Sequence, residues 1–247
     1  MSERKVALIT GANKGIGFHV ARKLGATGVH VLIGSRDRER GEAAVATLRS
    51  EGITADVVVL DVTKADVIAS AVEQVKAKHG RLDILVNNAG IAPGGAPPSK
   101  VTVDEMRAAY ETNVFGVVAV TNAFLPLLHL SPAPRIVNVS SGLGSLTMMN
   151  DPASRWYALN GAAYPTSKSA LDALTIQYAK ELRDTPFKVN VICPGYRATD
   201  LAGPGVNASR GASDPAGAAD IVVKMALLGP DGPTGQFFDS TGAVNPW

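Results

Sequence analysis

The sequence of 247 residues predicts an α/β fold in which one parallel sheet is covered by helices on both faces. Short runs rich in Val, Ile and Leu alternate with longer segments of helical composition along the chain. These runs are almost continuously apolar, as in strands whose two faces are both buried. Two segments rich in Gly and Pro, 91–99 and 201–213, follow predicted strands and are expected at the carboxyl edge of the sheet, where such folds bind ligands.

The elements follow from this alternation in chain order. Each predicted strand is a β-branched run, and each predicted helix fills the interval after it. The strands are KVALIT (5–10), HVLIGS (30–35), ADVVVL (55–60), LDILVN (82–87), RIVNVS (135–140), KVNVIC (188–193) and a last strand near GQFF (235–238). The helices are 15–26, 37–50, 64–79, 102–129, about 163–184 and about 214–228. No linker divides the chain, so we expect one domain, 1–247.

The composition indicates a folded protein whose partners are small molecules. Apolar residues make up 46% and charged residues 19% of the chain, and the formal net charge is +2. Lys and Arg are scattered, so no basic stripe predicts nucleic-acid binding. The most apolar stretch, 113–130, is interrupted by polar residues and Pro126, which indicates a buried helix and not a membrane span. The first residues, MSERKVALITG, contain no leader pattern, so we expect a cytoplasmic protein.

The candidate metal ligands and the single cysteine indicate no further site. The histidines, at 19, 30, 79 and 129, are far apart and form no ligand pattern, so we expect no metal. Cys193 excludes a disulfide within the chain. It ends a predicted strand with no histidine near it in sequence, which is typical of a small buried apolar side chain and not of a nucleophile.

A glycine-rich turn follows the first predicted strand. Gly11, Gly15 and Gly17 lie between that strand and the first helix in the spacing G-x-x-x-G-x-G. Glycines at these places permit a tight turn and let the backbone and the helix amino terminus approach a pyrophosphate. Turns of this kind are also found with a structural role only. The strand–turn–helix context favours dinucleotide binding.

The end of the second strand bears on which dinucleotide is bound. NAD-binding proteins usually place an acidic residue there for the ribose hydroxyl, whereas this sequence has Ser35 followed by Arg36. Lys14 projects from the glycine turn. Two cations suit a ribose 2′-phosphate, which favours NADP(H) over NAD(H). The alternative is that both are ordinary surface charges, and the neighbouring Asp37 keeps that alternative open.

Six motifs, taken together, give a family resemblance. They are TGANKGIG (10–17), NNAG (87–90), TNVFG (112–116), NVSS (138–141), YPTSK (164–168) and PGYRAT (194–199). With all six in this order over essentially the whole chain, the sequence resembles the classical short-chain dehydrogenase/reductases. Within that family it is most similar to the carbonyl reductases, through TGANKGIG, SRDRERG, LDILVNNAGIA and GPTGQF.

The resemblance implies a single doubly wound Rossmann-type domain with a predominantly seven-stranded parallel sheet. It also implies hydride transfer from NADPH to a ketone or aldehyde. The implied catalytic residues are Asn113, Ser141, Tyr164 and Lys168. The implied cofactor-binding residues are Gly11, Asn13, Lys14, Gly15, Ile16, Gly17, Arg36, Asp61, Val62, Asn88, Ala89, Gly90, Tyr164, Lys168, Pro194, Gly195 and Thr199.

The chemistry of carbonyl reduction explains the implied residue types. Tyr164 would give the proton, and Lys168 on the same helical face would bring the tyrosine pKa towards working pH. A serine would polarise the carbonyl oxygen, and Asn113 would anchor a water that relays protons. Residue types alone leave Ser140 and Ser141 open, and the family pattern selects Ser141. Pro165 fits a first helical turn, with Tyr164 as a cap.

The sequence departs from the compact family members before the tyrosine. Tyr164 follows Ser141 by 23 residues, and the intervening segment, about 142–161, carries several large apolar side chains. One interpretation is a pocket for a bulky hydrophobic or aromatic carbonyl substrate. The other is a small cluster that only packs the insertion onto the body. Because the insertion precedes a helix that many relatives use for pairing, we expect a monomer or homodimer, not a tetramer.

Two other functions are open at this stage. One is an alcohol dehydrogenase that works in the oxidative direction with NAD or NADP. The other is a non-catalytic dinucleotide sensor that keeps the fold as a binding module. The presence of all four implied catalytic residues argues against the sensor.

Overall fold

The apolar runs of the sequence form seven parallel strands of one sheet in a computed structural model that describes residues 4–247. Along the sheet the strands are ordered β3-β2-β1-β4-β5-β6-β7. The order reverses direction at β1 and β4, and the carboxyl ends of these two strands flank the crevice where doubly wound sheets bind ligands. The predicted fold class is confirmed.

The strands agree closely with the β-branched runs. Most of their residues are buried, because helices cover both faces. The strands are β1 Val6–Thr10, β2 His30–Ser35, β3 Ala55–Val59, β4 Ile84–Asn87, β5 Arg135–Val139, β6 Lys188–Ile192 and β7 Phe237–Phe238.

The helices lie in the intervals between the strands. Two of them, α6 and α8, are short segments within loops. The helices are α1 Gly15–Ala26, α2 Arg38–Ser50, α3 Ala65–His79, α4 Val103–Tyr110, α5 Gly116–Leu128, α6 Leu146–Asn150, α7 Ala163–Glu181, α8 Val206–Ser209 and α9 Ala219–Ala226. The single helix predicted over 102–129 is interrupted by a π-helical turn, Glu111–Phe115, and the helix predicted at 214–228 begins with a 3-10 turn, Pro215–Ala218.

Each face of the sheet has its own apolar core. Along β1, Ala7 and Ile9 pack with α1, α2 and α9 on one face, whereas Val6 and Leu8 pack with α3, α5 and α7 on the other. Since successive residues of a strand point to opposite faces, a continuous apolar run supplies both cores. The two cores fix the sheet, and thus the strand ends that carry the site.

The helical stretch Val103–Leu128 has the length and composition of a membrane span. Half of its most apolar window is buried inside the protein. Val120 and Phe124 have no exposed surface there and belong to the core on one face of the sheet. A buried core helix of a globular protein has the same composition, as the sequence predicts for 113–130.

Candidate active site

The turn between β1 and α1 forms one wall of a cleft at the carboxyl edge of the sheet. Gly11 and Gly15 have φ angles of 63° and 60°, a conformation that glycine adopts without strain. A Cβ on Gly11 would lie 3.0 Å from Cα of Ala89, so glycine lets the loop after β4 approach. The α1 N-cap is Lys14, whose side chain cannot accept hydrogen bonds. The first N–H groups of α1 are therefore left for an anionic ligand.

The cleft has a volume of about 500 Å³ and is lined by the ends of β1, β3, β4 and β5 together with the start of α7. Its glycine wall, helix terminus and elongated lining fit a dinucleotide. The lining includes every residue implied for the cofactor except Gly17 and Gly195. The residues shared between the prediction and the lining are Gly11, Asn13, Lys14, Gly15, Ile16, Arg36, Asp61, Val62, Asn88, Ala89, Gly90, Tyr164, Lys168, Pro194 and Thr199.

Gly17 and Gly195 act next to the cleft. A Cβ on Gly17 would lie 2.5 Å from Nδ2 of Asn88, so this glycine permits close packing of α1 against the loop after β4. Gly195 has a φ of 79° and lines a smaller neighbouring cavity with Cys193. Neither glycine lies in the lining of the large cleft, and their expected contact with the cofactor stays a prediction.

Arg36 provides a positive charge at the cleft. Its side chain is exposed and lines the cleft, whereas Ser35 is buried and bonds with the backbone of Asp37. The Asp37 carboxylate accepts from the backbone N–H of Arg40 as the cap of α2 and does not line the cleft. Asp37 thus caps a helix outside the cleft, and the alternative that Arg36 and Lys14 are ordinary surface charges stays open.

Lys14 is paired in the structure. Its ammonium group bonds to the Asp200 carboxylate, which lies in the loop after β6, and both side chains are partly exposed. This hydrogen bond lowers the pKa of Asp200. In the same loop, Leu201 accepts from the backbone N–H of Ala92 at 3.0 Å. The loop after β6 is therefore closed over the cleft by one ion pair and one backbone hydrogen bond.

Tyr164 and Lys168 lie in the first turns of α7. The helix begins at Ala163, with Ala162 as its N-cap, so Tyr164 and Pro165 both lie in the first turn. Pro165 takes the first-turn position where its missing N–H needs no partner, as predicted. The expectation that Tyr164 itself caps the helix is wrong by two residues. Lys168 follows Tyr164 by one helical turn, and both side chains line the same cleft.

Lys168 is buried, and Tyr164 is half-buried at the cleft. The Lys168 side chain is buried, and its Nζ donates to the main-chain oxygen of Val139 at 2.8 Å. Burial lowers the pKa of Lys168 to about 8. Burial also raises the pKa of Tyr164 well above its usual range, and a hydrogen bond with Ser141 opposes that rise only in part.

The pKa of Tyr164 is thus raised in the protein without cofactor, and the expected effect of Lys168 on the tyrosine stays a prediction. Nζ of Lys168 lies 5.7 Å from the centre of the Tyr164 ring, and burial is the largest cause of the raised tyrosine pKa. The phenol is protonated at neutral pH. A protonated phenol is a proton donor and not a base.

The two serines of NVSS have separate surroundings. Ser141 interacts with the Tyr164 phenol, and its Oγ also accepts from the backbone N–H of Leu143 at 3.2 Å. Ser140 is buried and faces Asp172 on α7. The contact with the phenol supports the choice of Ser141, whereas Ser140 and not Ser141 belongs to the lining of the cleft.

Asn113 lies in the π-helical turn Glu111–Phe115, a feature that is often found at functional sites. Its Oδ1 accepts from the backbone N–H of Ile91, and its Nδ2 donates to the Ile91 oxygen and to Oγ of Ser167. The residue is fully buried and does not line the cleft. The Asn113 side chain thus ties the loop after β4 to α7, and its expected part in a water relay stays a prediction.

Some side chains of the insertion, 142–161, pack onto the body of the protein, and others are exposed. Trp156 packs over Gly142, where a Cβ would lie 2.5 Å from the indole, and both line a cavity of about 240 Å³. Leu146, Tyr157 and Leu159 are mostly exposed. Part of 142–161 therefore packs onto the body, and its contact with a substrate stays a prediction. Cys193 is buried at the same cavity, and burial raises the pKa of its thiol, as expected of an inert cysteine.

Two histidines meet at the opposite edge of the sheet. The rings of His30 and His79 lie 4.7 Å apart, and the ligand atoms of His30, Asp56 and His79 fall within 4.8 Å of one another. The expectation that the histidines are far apart is wrong for this pair, because β2 and the end of α3 converge there. The Asp56 carboxylate is already paired with Lys78, Arg49 and His30.

Some residues of the site were missed by the sequence analysis. Asp172 lies one turn after Lys168 on the same helix and is buried. An acidic residue on the otherwise apolar face of a helix, at the spacing i+4 from a lysine, was a signal that could have found it. Asp200 and Leu201 also line the cleft, but a glycine-rich loop has no periodicity from which their positions follow.

Comparison with known proteins agrees with this geometry. The family model for short chain dehydrogenase matches residues 5–208. A short-chain dehydrogenase/reductase of Aspergillus fumigatus is 46% identical over 159 residues, which span 61% of this chain and 60% of that relative. The (-)-isopiperitenone reductase of Mentha piperita is 35% identical over an alignment of 318 residues that covers 98% of both chains.

A solved structure agrees over the whole length. The NADPH-bound carbonyl reductase from chicken fatty liver superposes with a TM-score of 0.84 at 26% identity, covering 99% of this chain and 100% of that one. The fold, the glycine turn and the tyrosine–lysine pair thus occur together in a chain that the family model matches over most of its length. This protein belongs to the short-chain dehydrogenase/reductase family of oxidoreductases, which use an NAD(P)-type cofactor.

Proposed function

We propose that this protein is an NADPH-dependent carbonyl reductase. The observation that carries the proposal is the protonated phenol of Tyr164 at the cleft, with the Ser141 hydroxyl beside it and the buried Lys168 one helical turn away. Reduction of a carbonyl needs a proton for the alkoxide that develops, and a neutral phenol near a cation supplies it.

Each residue has a defined part in this reaction. The nicotinamide dinucleotide, when bound in the cleft, supplies the hydride. The Ser141 hydroxyl donates a hydrogen bond to the carbonyl oxygen and polarises it. Tyr164 transfers its phenolic proton to that oxygen as negative charge develops there. The Lys168 ammonium group stabilises the phenolate that remains, and Asn113 holds Ile91 and Ser167 in place around this pair.

The charge of the cleft supports NADPH over NADH. Arg36 lies at the cleft with an exposed side chain, and the Asp37 carboxylate caps α2. Lys14 stands at the same cleft, paired with Asp200. A ribose 2′-phosphate would gain charge-assisted hydrogen bonds from these cations.

The apolar side chains at the carboxyl edge support a bulky hydrophobic or aromatic carbonyl substrate. Leu146, Tyr157 and Leu159 of the insertion and Tyr196 after β6 are exposed by about half or more. They follow β5 and β6, the strands whose ends lead into the loops around Tyr164. Apolar surface of this kind is typical of a ligand-binding rim.

The deciding experiment is a panel of aldehydes, aryl ketones and cyclic ketones assayed with NADPH and with NADH. We expect NADPH consumption, with higher kcat/KM for the bulky ketones. Leu146→Ala and Tyr157→Ala should raise KM for bulky carbonyls more than for small ones. Leu130→Ala is the control, at an exposed leucine just after α5, and should leave KM unchanged for both kinds of carbonyl. NADPH binding without turnover of any carbonyl would favour the dinucleotide sensor.

Alcohol oxidation, the alternative function, needs Tyr164 in the opposite protonation state. Alcohol oxidation needs a phenolate that accepts a proton, and burial raises the pKa of Tyr164 above its usual range. We therefore expect reduction to exceed oxidation at neutral pH when both directions are measured with the same alcohol and ketone pair. Faster oxidation at pH 7 would favour an alcohol dehydrogenase.

We also propose that the protein works as a monomer or homodimer in the cytoplasm. The insertion reaches the start of α7, where the backbone N–H of Ala162 donates to the Ala96 oxygen and brings the loop after β4 against the helix. Light scattering coupled to size-exclusion chromatography tests the assembly, and a fluorescent fusion tests the location. A tetramer would contradict the first proposal.

A further inference from the structure

A buried carboxylate extends the line of reactive side chains on α7. Asp172 follows Lys168 by one turn and Tyr164 by two, so the three side chains share one face of the helix. Only 3% of Asp172 is exposed. This face packs on the 3-10 turn Gly142–Gly144, which directly follows Ser141. A Cβ on Gly144 would overlap Oδ2 of Asp172, so the turn lies directly against the carboxylate.

The groups that face Asp172 come from three elements. Lys168 and Tyr164 approach from α7, Ser140 from the end of β5 and Cys193 from the end of β6. Burial raises the pKa of Asp172 to about 7, and the positive charge of Lys168 opposes that rise. Burial lowers the pKa of Lys168, and the negative charge of Asp172 opposes that fall. Lys168 and Asp172 thus stabilise each other inside the protein.

The carboxylate has few other partners. Neither oxygen of Asp172 meets the geometry of a hydrogen bond with any described residue, although the Ser140 hydroxyl lies near enough to lower its pKa. Oγ of Ser140 likewise lacks a partner of good geometry within residues 4–247. A buried acid with so little compensation is costly to the fold. Such groups occur most often at functional sites.

Burial destabilises the charged form of Lys168, and Asp172 offsets part of this destabilisation. The ammonium group has the Val139 oxygen as its hydrogen-bond acceptor, and a carbonyl carries no net charge. Burial therefore pushes the pKa of Lys168 downwards, and the carboxylate opposes this. A neutral lysine would no longer stabilise a phenolate at Tyr164.

We propose that Asp172 is a positioning residue that keeps Lys168 protonated and thereby sets the upper pH limit of catalysis. The effect of Asp172 on turnover rests on the proposed carbonyl reductase function. The electrostatic part concerns the protein without cofactor. Asp172 does not itself line the cleft, so it acts through Lys168.

The first test is a titration of the protein without cofactor. The ¹³Cε signal of Lys168 is followed by NMR in protein with labelled lysine and assigned with Lys168→Arg. Asp172→Asn should lower the titration midpoint of Lys168 by about one pH unit, the effect of losing one nearby opposite charge. Asp184→Asn, at an exposed carboxylate just beyond α7, should leave it unchanged. An unchanged Lys168 midpoint in a folded Asp172→Asn variant would overturn the proposal.

A second test needs no substitution at Asp172. In the unsubstituted protein, the Lys168 signal should show an additional inflection at the pH where the Asp172 ¹³Cγ signal titrates, because the charges interact. This result decides the proposal even if Asp172→Asn fails to fold. The absence of that inflection would overturn the coupling.

The third test connects the coupling to turnover. The alkaline limb of kcat/KM for carbonyl reduction should move to lower pH in Asp172→Asn by the same interval as the Lys168 midpoint. A limb that stays in place while the midpoint moves would overturn the catalytic part. If the unsubstituted protein reduces no carbonyl, the proposed function fails, and the two titrations still decide whether Asp172 controls Lys168.

Discussion

The Lys168 ammonium group donates to the main-chain oxygen of Val139 across 2.8 Å, which anchors the lysine to the last residue of β5. Burial at this place lowers the pKa of Lys168 to about 8. The charged form is present below that pH and is lost as the pH rises through it. We therefore expect kcat/KM for reduction to fall about tenfold per pH unit above pH 8.

A pH profile with saturating NADPH tests this expectation, and Lys168→Arg is the matched variant. Because a guanidinium stays charged, its profile should be flat where that of the unsubstituted protein falls, at a lower absolute rate. A profile of the unsubstituted protein that is flat to pH 10 would contradict the assigned role of the lysine.

Cofactor preference should depend on Arg36. Replacing it with alanine removes a cation that lines the cleft, and a charge-assisted hydrogen bond contributes about 1.5–3 kcal/mol. We expect the preference for NADPH over NADH in kcat/KM to fall by about 10- to 100-fold. Arg38→Ala is the control, because Arg38 is exposed, pairs with Glu42 and does not line the cleft. Equal effects of the two substitutions would remove the argument for a 2′-phosphate.

The pair of Lys14 with Asp200 should compete with cofactor phosphate. In Asp200→Asn, Lys14 is free to bind an anion and a negative charge leaves the cleft, so we expect NADPH to bind about threefold more tightly at low salt. Fluorescence titration of NADPH at two ionic strengths measures this. Asp220→Asn, which breaks the exposed pair with Lys23, should have no effect. Weaker binding in Asp200→Asn would mean that the ion pair instead helps to close the cleft over the cofactor.

Gly144 should be needed for the packing of α7. A methyl group there would overlap Oδ2 of Asp172 and lie 3.1 Å from the main-chain carbon of Lys168. We expect Gly144→Ala to lower the free energy of unfolding by about 1–3 kcal/mol, as overpacking does. At Gly229 a methyl group would meet open space, so Gly229→Ala should be close to neutral. Equal unfolding midpoints in urea would show that the turn adjusts freely.

Much of the fold could be predicted because its signals are local. Each β-branched run became a strand, and the helix starts at Gly15 and Ala163 follow from a glycine turn and a first-turn proline. The positions lining the cleft could also be predicted, since residues after parallel strands meet at one edge.

The remaining features depend on contacts between distant segments. The π turn around Asn113 is stabilised through Ile91 and Ser167, which lie far from it in sequence. The direction of the Tyr164 pKa shift depends on burial, which only the packed structure reveals. The partnership of Lys14 with Asp200 joins segments that are 186 residues apart.

The central claim is that Tyr164 is the proton donor in an NADPH-dependent carbonyl reduction. It is tested most directly by the rate of NADPH oxidation with the best ketone of the panel, compared between the unsubstituted protein and Tyr164→Phe. Tyr110→Phe serves as the control, because Tyr110 lies at the end of α4 outside the cleft lining and phenylalanine keeps its ring contact with Phe115. We predict that Tyr164→Phe lowers kcat by at least about 100-fold, the usual contribution of a general acid, while NADPH binding changes little. Turnover by Tyr164→Phe within a few fold of the unsubstituted protein would contradict the claim.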